Sequence, residues 1–156
     1  MQTASNTLPP HFLLIFPFFI FGVWVLVSLL TSSLSGWGLL ASHFSSDRQP
    51  SGNTTTAGPF FYVVYLRFWT HYGSMVRVTA ANDALYLSVL FLFRIGHPPL
   101  RIPWNEIRFS TTTYFFRRYM VLTLGTDEQV PMRISQRMAR NLGLTERFSA
   151  PSAPID

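Results

Sequence analysis

The longest uninterrupted apolar run lies near the N-terminus. From Phe12 to Leu30 the chain carries no charge, and Ser28 is its one hydroxyl side chain. A helix of this length measures about 28 Å at ~1.5 Å per residue, close to the ~30 Å hydrocarbon core of a bilayer. We therefore predict a transmembrane helix over residues 12–31, preceded by an N-terminal tail over residues 1–11.

A cleaved signal peptide is the main alternative for this segment. Such peptides combine a basic N-terminal region with an apolar core of about 7–15 residues. Residues 2–11 contain no Lys or Arg, and the apolar run is longer than such a core, although the small residues Ser33 and Ser35 leave cleavage open. The pattern favours a single-pass anchor. Since Arg48 is the nearest basic side chain on the C-terminal side, the positive-inside rule favours a cytoplasmic domain.

A shorter apolar face follows the predicted span. Trp37, Leu40, Ala41 and Phe44 recur at i, i+3, i+4 and i+7, which predicts an amphipathic helix over residues 34–44. This helix either lies along the membrane surface or docks onto the domain. Residues 45–58 consist mainly of Ser, Thr, Gly, Pro and Asn, which predicts a flexible linker.

From Pro59 onward the pattern changes to alternation with a period of two. A long aromatic and β-branched run over residues 60–72 predicts one strand, and further alternation predicts half-buried antiparallel strands with short turns over residues 75–79, 84–93, 100–103, 107–109, 119–124 and 130–134. Ser135 and Gly143 are suitable start and stop residues for a helix over residues 136–142. We predict that residues 144–156 form a disordered tail.

A proline-rich stretch interrupts this series of strands. Proline cannot donate a ladder hydrogen bond, so Gly96-His97-Pro98-Pro99 is predicted to be a hairpin connection. No second histidine and no carboxylate lies near His97 at a metal-like spacing, so we interpret it as a turn residue. Pro103 is predicted to end the next short strand, and Trp104 to cover one end of the domain.

Several strings in this region resemble the PH-like families, namely GRAM and bacterial PH domains. The strings are VRVTAANDALYLSV, HPPLRIPWNEI, YMVLTLG and VPMRIS, followed by a helix, and the resemblance covers about residues 75–142. The best-matching positions are Pro103, Trp104, Glu106 and Ile107. The chain is also similar to a group of bacterial single-span membrane proteins that carry the motif HPPLxIPWxEI.

The resemblance implies an α+β fold that is mainly β. Residues 59–143 would form a small antiparallel β-barrel or bent sheet with a C-terminal helix, joined to the N-terminal transmembrane helix. Domains of this kind are typically binding modules and not enzymes.

Charge is confined to the predicted domain. The chain carries 12 basic and 7 acidic residues, a net charge of +5, and none of them precedes Asp47. Every basic residue is arginine, a side chain that forms paired hydrogen bonds with phosphate. The absence of cysteine excludes disulfides, thiolate metal sites and a cysteine nucleophile.

No pattern in the chain indicates catalysis. The four histidines and the carboxylates are dispersed, and no hydrolase, zinc-protease or nucleotide-binding motif occurs. We predict no enzyme activity, cofactor, metal site or identifiable small-molecule substrate. Nucleic-acid binding fits the pI of about 10.2, but the membrane tether and the absence of a recognisable motif argue against it.

The most suggestive binding cluster lies in the predicted hairpin TTTYFFRRYM. Arginines there could hold lipid phosphates while aromatic rings lie at headgroup level, and the same residues also suit an ordinary solvated hairpin. The candidate lipid- or partner-binding residues are Tyr114, Phe116, Arg117 and Arg118, with Arg94 and Arg101 from either side of the proline-rich turn.

Two functions from different classes follow. In the first, the chain is a membrane-anchored binding or scaffold module that contacts anionic lipid headgroups or a protein partner. In the second, it is an accessory subunit of a larger membrane complex. That subunit would dock by strand addition through an exposed aromatic edge formed by Phe60, Phe61, Tyr62 and Tyr65.

Overall fold

The computed structural model describes residues 10–58, 62–67, 70–73, 75–114 and 116–149 of the chain. They form an α+β fold with an apolar N-terminal helix, two antiparallel sheets and two C-terminal helices. In chain order the elements are α1 (Pro10–Ser35), α2 (Trp37–Phe44), β1 (Thr55–Ala57), β2 (Val63–Leu66), β3 (Thr70–Gly73), β4 (Val76–Ala80), β5 (Ala84–Val89), β6 (Leu100–Pro103), β7 (Ile107–Tyr114), β8 (Arg117–Leu124), β9 (Val130–Ser135), α3 (Gln136–Asn141) and α4 (Leu144–Ser149).

The first helix has the length and composition needed to cross a bilayer. Its apolar segment Ile15–Ser35 contains 21 residues and exposes most of its side chains. Gly36 then adopts the left-handed conformation with φ 80°, which glycine reaches at no steric cost. This residue ends α1 and starts α2 in a new direction.

The apolar face of α2 docks onto the domain. Trp37 and Leu40 are fully buried in the main core, and Ala41 and Phe44 pack against it. The sequence left open whether α2 lies along the membrane surface or docks onto the domain, and in the structure it docks onto the domain.

The first sheet, sheet A, has the order β1-β4-β5-β6. Its outermost strand β1 lies inside the predicted flexible linker, so the interpretation of residues 45–58 as loop throughout is wrong. Thr56 lies opposite Thr79 on β4 and their hydroxyls are 3.0 Å apart, so this run of β-branched threonines completes the sheet.

The second sheet, sheet B, has the order β3-β2-β9-β8-β7. The single strand predicted over residues 60–72 is instead the hairpin of β2 and β3, because Arg67 adopts a left-handed φ of 49° and reverses the chain. The strand predicted over residues 84–93 also ends early, at Val89. Its partner β4 begins at Val76, and residues 91–93, which pair with none of the described strands, form a 3-10 turn.

One hydrophobic core joins the two sheets. It includes Val78 and Leu87 from sheet A, Leu122 and Met132 from sheet B, and Leu40 from α2. Within the described strands the two sheets do not close into a barrel. A short 3-10 turn over Trp104–Glu106 carries the chain from one sheet to the other.

The C-terminal helices cover one end of the core. The start of α3 confirms its predicted cap, because Oγ of Ser135 accepts a hydrogen bond from the Met138 backbone N–H at 3.2 Å. The prediction of disorder from residue 144 is wrong as far as residue 149. Leu144 is fully buried, and the ring of Phe148 on α4 lies 4.2 Å from that of Phe109. Residues 150–156 of that predicted tail lie outside the described part of the chain.

Candidate functional site

One face of α1 packs against the domain over its last three turns. Trp24 is half-buried, and Ser28, Ser32 and Ser35 are buried, at intervals of four, four and three residues. Residues at these spacings lie on the same side of a helix. The domain is therefore fixed along the C-terminal part of α1 and does not simply hang from its end.

The segment of residues 90–96, here named the anchor loop, makes much of this contact. The ring centroids of Phe93 and Trp24 are 6.4 Å apart, and the Ser32 hydroxyl donates a hydrogen bond to the Gly96 carbonyl. A Cβ atom on Gly96 would lie 3.1 Å from a methyl group of Leu29, and the residue has φ +77°. Both observations call for glycine at the point of closest approach.

A buried polar cluster, here named the polar junction, lies just beyond this contact and consists of Ser35, Trp37, Tyr72 and His97. The Tyr72 hydroxyl is 2.8 Å from both Oγ of Ser35 and Nε2 of His97. Nε1 of Trp37 donates to the Pro98 carbonyl at 2.9 Å. These bonds join the end of α1, α2, β3 and the proline-rich turn at one point.

Burial sets the protonation of this junction. Desolvation raises the pKa of Tyr72 to about 12, an effect that the hydrogen bond to Ser35 only partly offsets. It also lowers the pKa of His97 below its ordinary value of 6.5. Nε2 of His97 lies 2.8 Å from the Tyr72 hydroxyl and Nδ1 lies 3.2 Å from the Ile95 carbonyl, so both ring nitrogens have a hydrogen-bond partner. His97 therefore serves as a structural connection in its turn.

The anchor loop exposes large apolar side chains beside α1. Phe91 is 84% exposed and Leu92 is 53% exposed, and Ile95 is also exposed. Exposed apolar groups that are clustered in this way, unlike scattered ones, typically mark a contact surface. Here the surface adjoins a helix that is itself apolar and exposed.

A polar cleft of about 390 Å³ lies next to the anchor loop, on the outer side of sheet A. Its charged lining residues are Arg48, Arg77, Arg94 and Asp47, with His97 at one edge. The side chains of the three arginines have no hydrogen-bond or ion-pair partner within the described part of the chain. The cleft therefore carries an excess of positive charge that nothing in the described structure neutralises.

The six predicted binding residues are divided between the two sheets. Arg94 lines the cleft of sheet A, and Arg101 on β6 pairs with Asp83 through an Nη2–Oδ2 distance of 2.9 Å. Arg118 lies on β8 in sheet B, next to Phe116, which is fully exposed with a left-handed φ of 60°. The side chains of Tyr114 and Arg117 lie outside the described part.

Two arginines of the cleft, Arg48 and Arg77, were not among the binding residues predicted from the sequence. Arg48 lay in the segment predicted to be flexible, whereas the Ser46 backbone N–H donates to the Pro99 carbonyl at 3.0 Å and holds that segment on sheet A. Arg77 faces outward on β4 opposite Ser88. Its outward position follows from the alternation of the strand, but its neighbours depend on the register of the sheet.

At Tyr65 the predicted aromatic edge is an inner strand of a sheet. β2, which carries Tyr65, pairs with β3 on one side and with β9 on the other. The Tyr62 hydroxyl accepts a hydrogen bond from Asn141. Phe60 and Phe61 lie outside the described residues.

The motif residues from His97 to Ile107 form turns and junctions. The Pro98 carbonyl accepts from Trp37, and Pro99 accepts from Ser46. Pro103 pairs with Ala84 at the end of β6, and the Trp104 indole donates to the Ala81 carbonyl at 3.0 Å. Glu106 accepts from the backbone and the hydroxyl of Thr126, which lowers its pKa, and Ile107 is buried at the start of β7.

Comparisons of the chain with family models, with curated proteins and with solved structures find no match. The resemblance to the PH-like families stays a prediction from the motifs. Among the described residues, no group of three or more His, Cys, Asp or Glu side chains is arranged to hold a metal ion.

Proposed function

We propose that the chain is a non-enzymatic, membrane-anchored binding module that works at the bilayer surface. In this proposal α1 crosses the membrane, and the β domain rests on the cytoplasmic leaflet, where it contacts lipid headgroups. The observation that carries the proposal is the contact between the anchor loop and α1, together with the exposure of Phe91 and Leu92.

The depth of this contact follows from helix geometry. Trp24 precedes residue 31, the end of the predicted span, by seven residues, which corresponds to about 10 Å along the axis. Because Phe93 lies beside Trp24, the anchor loop would reach the upper part of the acyl chains. Phe91 and Leu92 would then contact lipid, and Arg94 could extend its guanidinium to the headgroups.

A binding role also agrees with the chemistry of the cleft. Both ring nitrogens of His97 are used by Tyr72 and Ile95, so this histidine is not free to act as a base. Charged side chains in the cleft are mainly arginines, which hold anions well and rarely exchange protons at neutral pH.

A protein partner remains a second candidate because one long strand is free to pair. β7 (Ile107–Tyr114) is an outer strand of sheet B and pairs only with β8 among the described strands. Eight residues are enough for strand addition by another chain. An accessory subunit of a membrane complex would therefore dock through β7 and not through β2, which is paired on both sides.

The depth of Leu92 in the bilayer tests the proposal. The chain contains no cysteine, so one nitroxide label can be attached at Leu92→Cys and another, in a separate sample, at the exposed Asp127→Cys. The full chain would be reconstituted in phosphatidylcholine. Collisions of each label with oxygen, which is enriched in acyl chains, and with a water-soluble nickel chelate would be measured by electron paramagnetic resonance.

We expect the label at Leu92 to be protected from nickel and exposed to oxygen, and the label at Asp127 to show the reverse. Equal exposure of both labels to nickel would mean that the anchor loop lies in water, and the proposal would fail. If the label at Leu92 were instead shielded from both reagents, the loop would be covered by protein, here by the chain itself or a second copy of it, and the proposed lipid contact would also fail.

A further inference from the structure

Three arginines reach the cleft of sheet A from separate parts of the chain. Arg77 lies on β4, Arg94 follows the 3-10 turn of the anchor loop, and Arg48 lies on the segment held by Pro99 and Leu100. In an ordinary basic segment, the charged residues are neighbours in sequence and their side chains point into solvent. Here the fold itself brings the charges together.

This arrangement is electrostatically unfavourable without a ligand. Like charges that share one concave surface repel each other, and a cleft lined by one sign of charge concentrates the field of that sign. Asp47 is the one carboxylate among the lining residues of the cleft within the described part of the chain. An anion that entered the cleft would relieve the repulsion.

The side chains present favour phosphate as that anion. Guanidinium groups form paired, charge-assisted hydrogen bonds with phosphate oxygens. Ser88, which lines the same cleft opposite Arg77, adds a neutral donor. The volume of about 390 Å³ is within the range of about 300–1,000 Å³ that is usual for small-ligand sites.

We infer that this cleft binds the phosphate group of an anionic phospholipid. Phe91 lines the cleft and is also the most exposed of the large apolar residues of the anchor loop, so the polar site adjoins the apolar surface beside α1. A lipid could place its phosphate on Arg48, Arg77 and Arg94 while its acyl chains lie along Phe91. The inference rests on the proposed function, because it requires the anchor loop to lie in the bilayer.

The test measures lipid selectivity of the full chain in phosphatidylcholine bilayers. Trace spin-labelled phosphatidic acid, phosphatidylglycerol or phosphatidylcholine is added, and the motionally restricted fraction gives the relative association constant of each lipid. The variant Arg48→Gln/Arg77→Gln/Arg94→Gln removes the cleft charges. Its control, Arg108→Gln/Arg137→Gln/Arg140→Gln, removes the same charge from exposed arginines on β7 and α3.

We expect the chain to prefer the two anionic lipids and the cleft variant to lose that preference. A basic residue near a membrane contributes a factor of about five in association, so the loss should be at least fivefold, with a much smaller change in the control. Arg94→Gln alone should give part of the loss, and it keeps the test valid if the triple variant is unstable. An equal loss in both triple variants, or in neither, would overturn the inference.

Further experiments show whether the phosphate belongs to a lipid or to a soluble compound, and whether a negative result counts against the cleft or against the proposed function. If inorganic phosphate at millimolar concentration abolishes the preference, the site takes a soluble phosphate and the lipid assignment is wrong. If Arg118→Gln alone removes the preference, the β7–β8 hairpin is the site and the cleft is not. A nickel-accessible label at Leu92 would count against the proposed function, and binding of glycerol phosphate to the chain in detergent would then measure the cleft separately.

Discussion

The hydroxyl group of Tyr72 lies 2.8 Å from Nε2 of His97 and 2.8 Å from Oγ of Ser35. One side chain of β3 thereby connects the proline-rich turn to the last residue of α1. The indole of Trp37 closes the same cluster through its bond to Pro98. This junction explains why two prolines and a histidine lie between β5 and β6. The turn places the His97 ring beside Tyr72 and the Pro98 carbonyl beside Trp37, next to the end of α1.

Removal of the Tyr72 hydroxyl should destabilise the domain. Tyr72→Phe leaves buried polar atoms of His97 and Ser35 without this partner, which costs about 1–3 kcal/mol in the free energy of unfolding. Thermal unfolding of the full chain in one detergent measures the effect. Tyr119→Phe is the control, because the Tyr119 hydroxyl has no hydrogen-bond partner among the described residues, and it should melt like the parent. Equal melting of the two variants would contradict the proposed role of Tyr72.

Protonation of His97 should weaken the fold at low pH. Burial lowers its pKa in the folded state below 6.5, so below pH 6.5 the unfolded chain takes up more protons than the folded chain. The stability that comes from neutral His97 is complete above about pH 6.5 and is lost as the pH falls through the folded-state pKa.

Melting temperatures between pH 7.5 and pH 5 measure this dependence. His97→Gln should flatten the curve at the acidic end, and His71→Gln, at an exposed position, should leave it unchanged. A curve of the same slope for His97→Gln and the parent would show that another group titrates.

A methyl group on Gly96 should disturb the contact between the anchor loop and α1. Gly96→Ala must hold φ +77°, which costs an L-residue about 1–2 kcal/mol, and its Cβ would meet Leu29 at 3.1 Å. Gly22→Ala is a matched control within α1, since nothing lies within 4 Å of its Cβ position. Limited proteolysis of the reconstituted chain should cleave near residue 96 faster in Gly96→Ala only. The same rate in both variants would count against a tight contact.

The second C-terminal helix should be necessary for full stability. Leu144 is fully buried in the core, so Leu144→Ala should cost about 2–5 kcal/mol in the free energy of unfolding. Leu39→Ala, at an exposed position on α2, should change it by less than about 0.5 kcal/mol. Denaturant unfolding followed by tryptophan fluorescence gives both values. A neutral Leu144→Ala would mean that the chain after Gly143 does not belong to the core.

The sequence predicted best those elements whose signals are local. An unbroken apolar run predicted α1, the spacing of Trp37, Leu40 and Phe44 predicted α2, and Ser135 with Gly143 predicted α3. Alternation located most of the strands. Each of these patterns depends on residues within one element, so no knowledge of distant contacts was needed.

The errors arose where a distant partner decides the structure. Residues 91–93 alternate like a strand, but none of the described strands pairs with them. Thr55–Ala57 resembles loop in composition and becomes β1 because β4 lies beside it. The arginine cleft is a further case, since Arg48, Arg77 and Arg94 are distant in sequence and only the register of sheet A brings them together.

The most direct test of the central claim, that the domain is fixed on its apolar helix, is a distance between the two. Nitroxide labels at Leu34→Cys on α1 and Ser110→Cys on β7 occupy exposed positions, and double electron–electron resonance would measure their separation in the full chain in phosphatidylcholine nanodiscs. We predict a single narrow distance distribution that broadens in Tyr72→Phe. A broad distribution in the parent chain would mean that the domain moves freely on a tether, and the account would be contradicted.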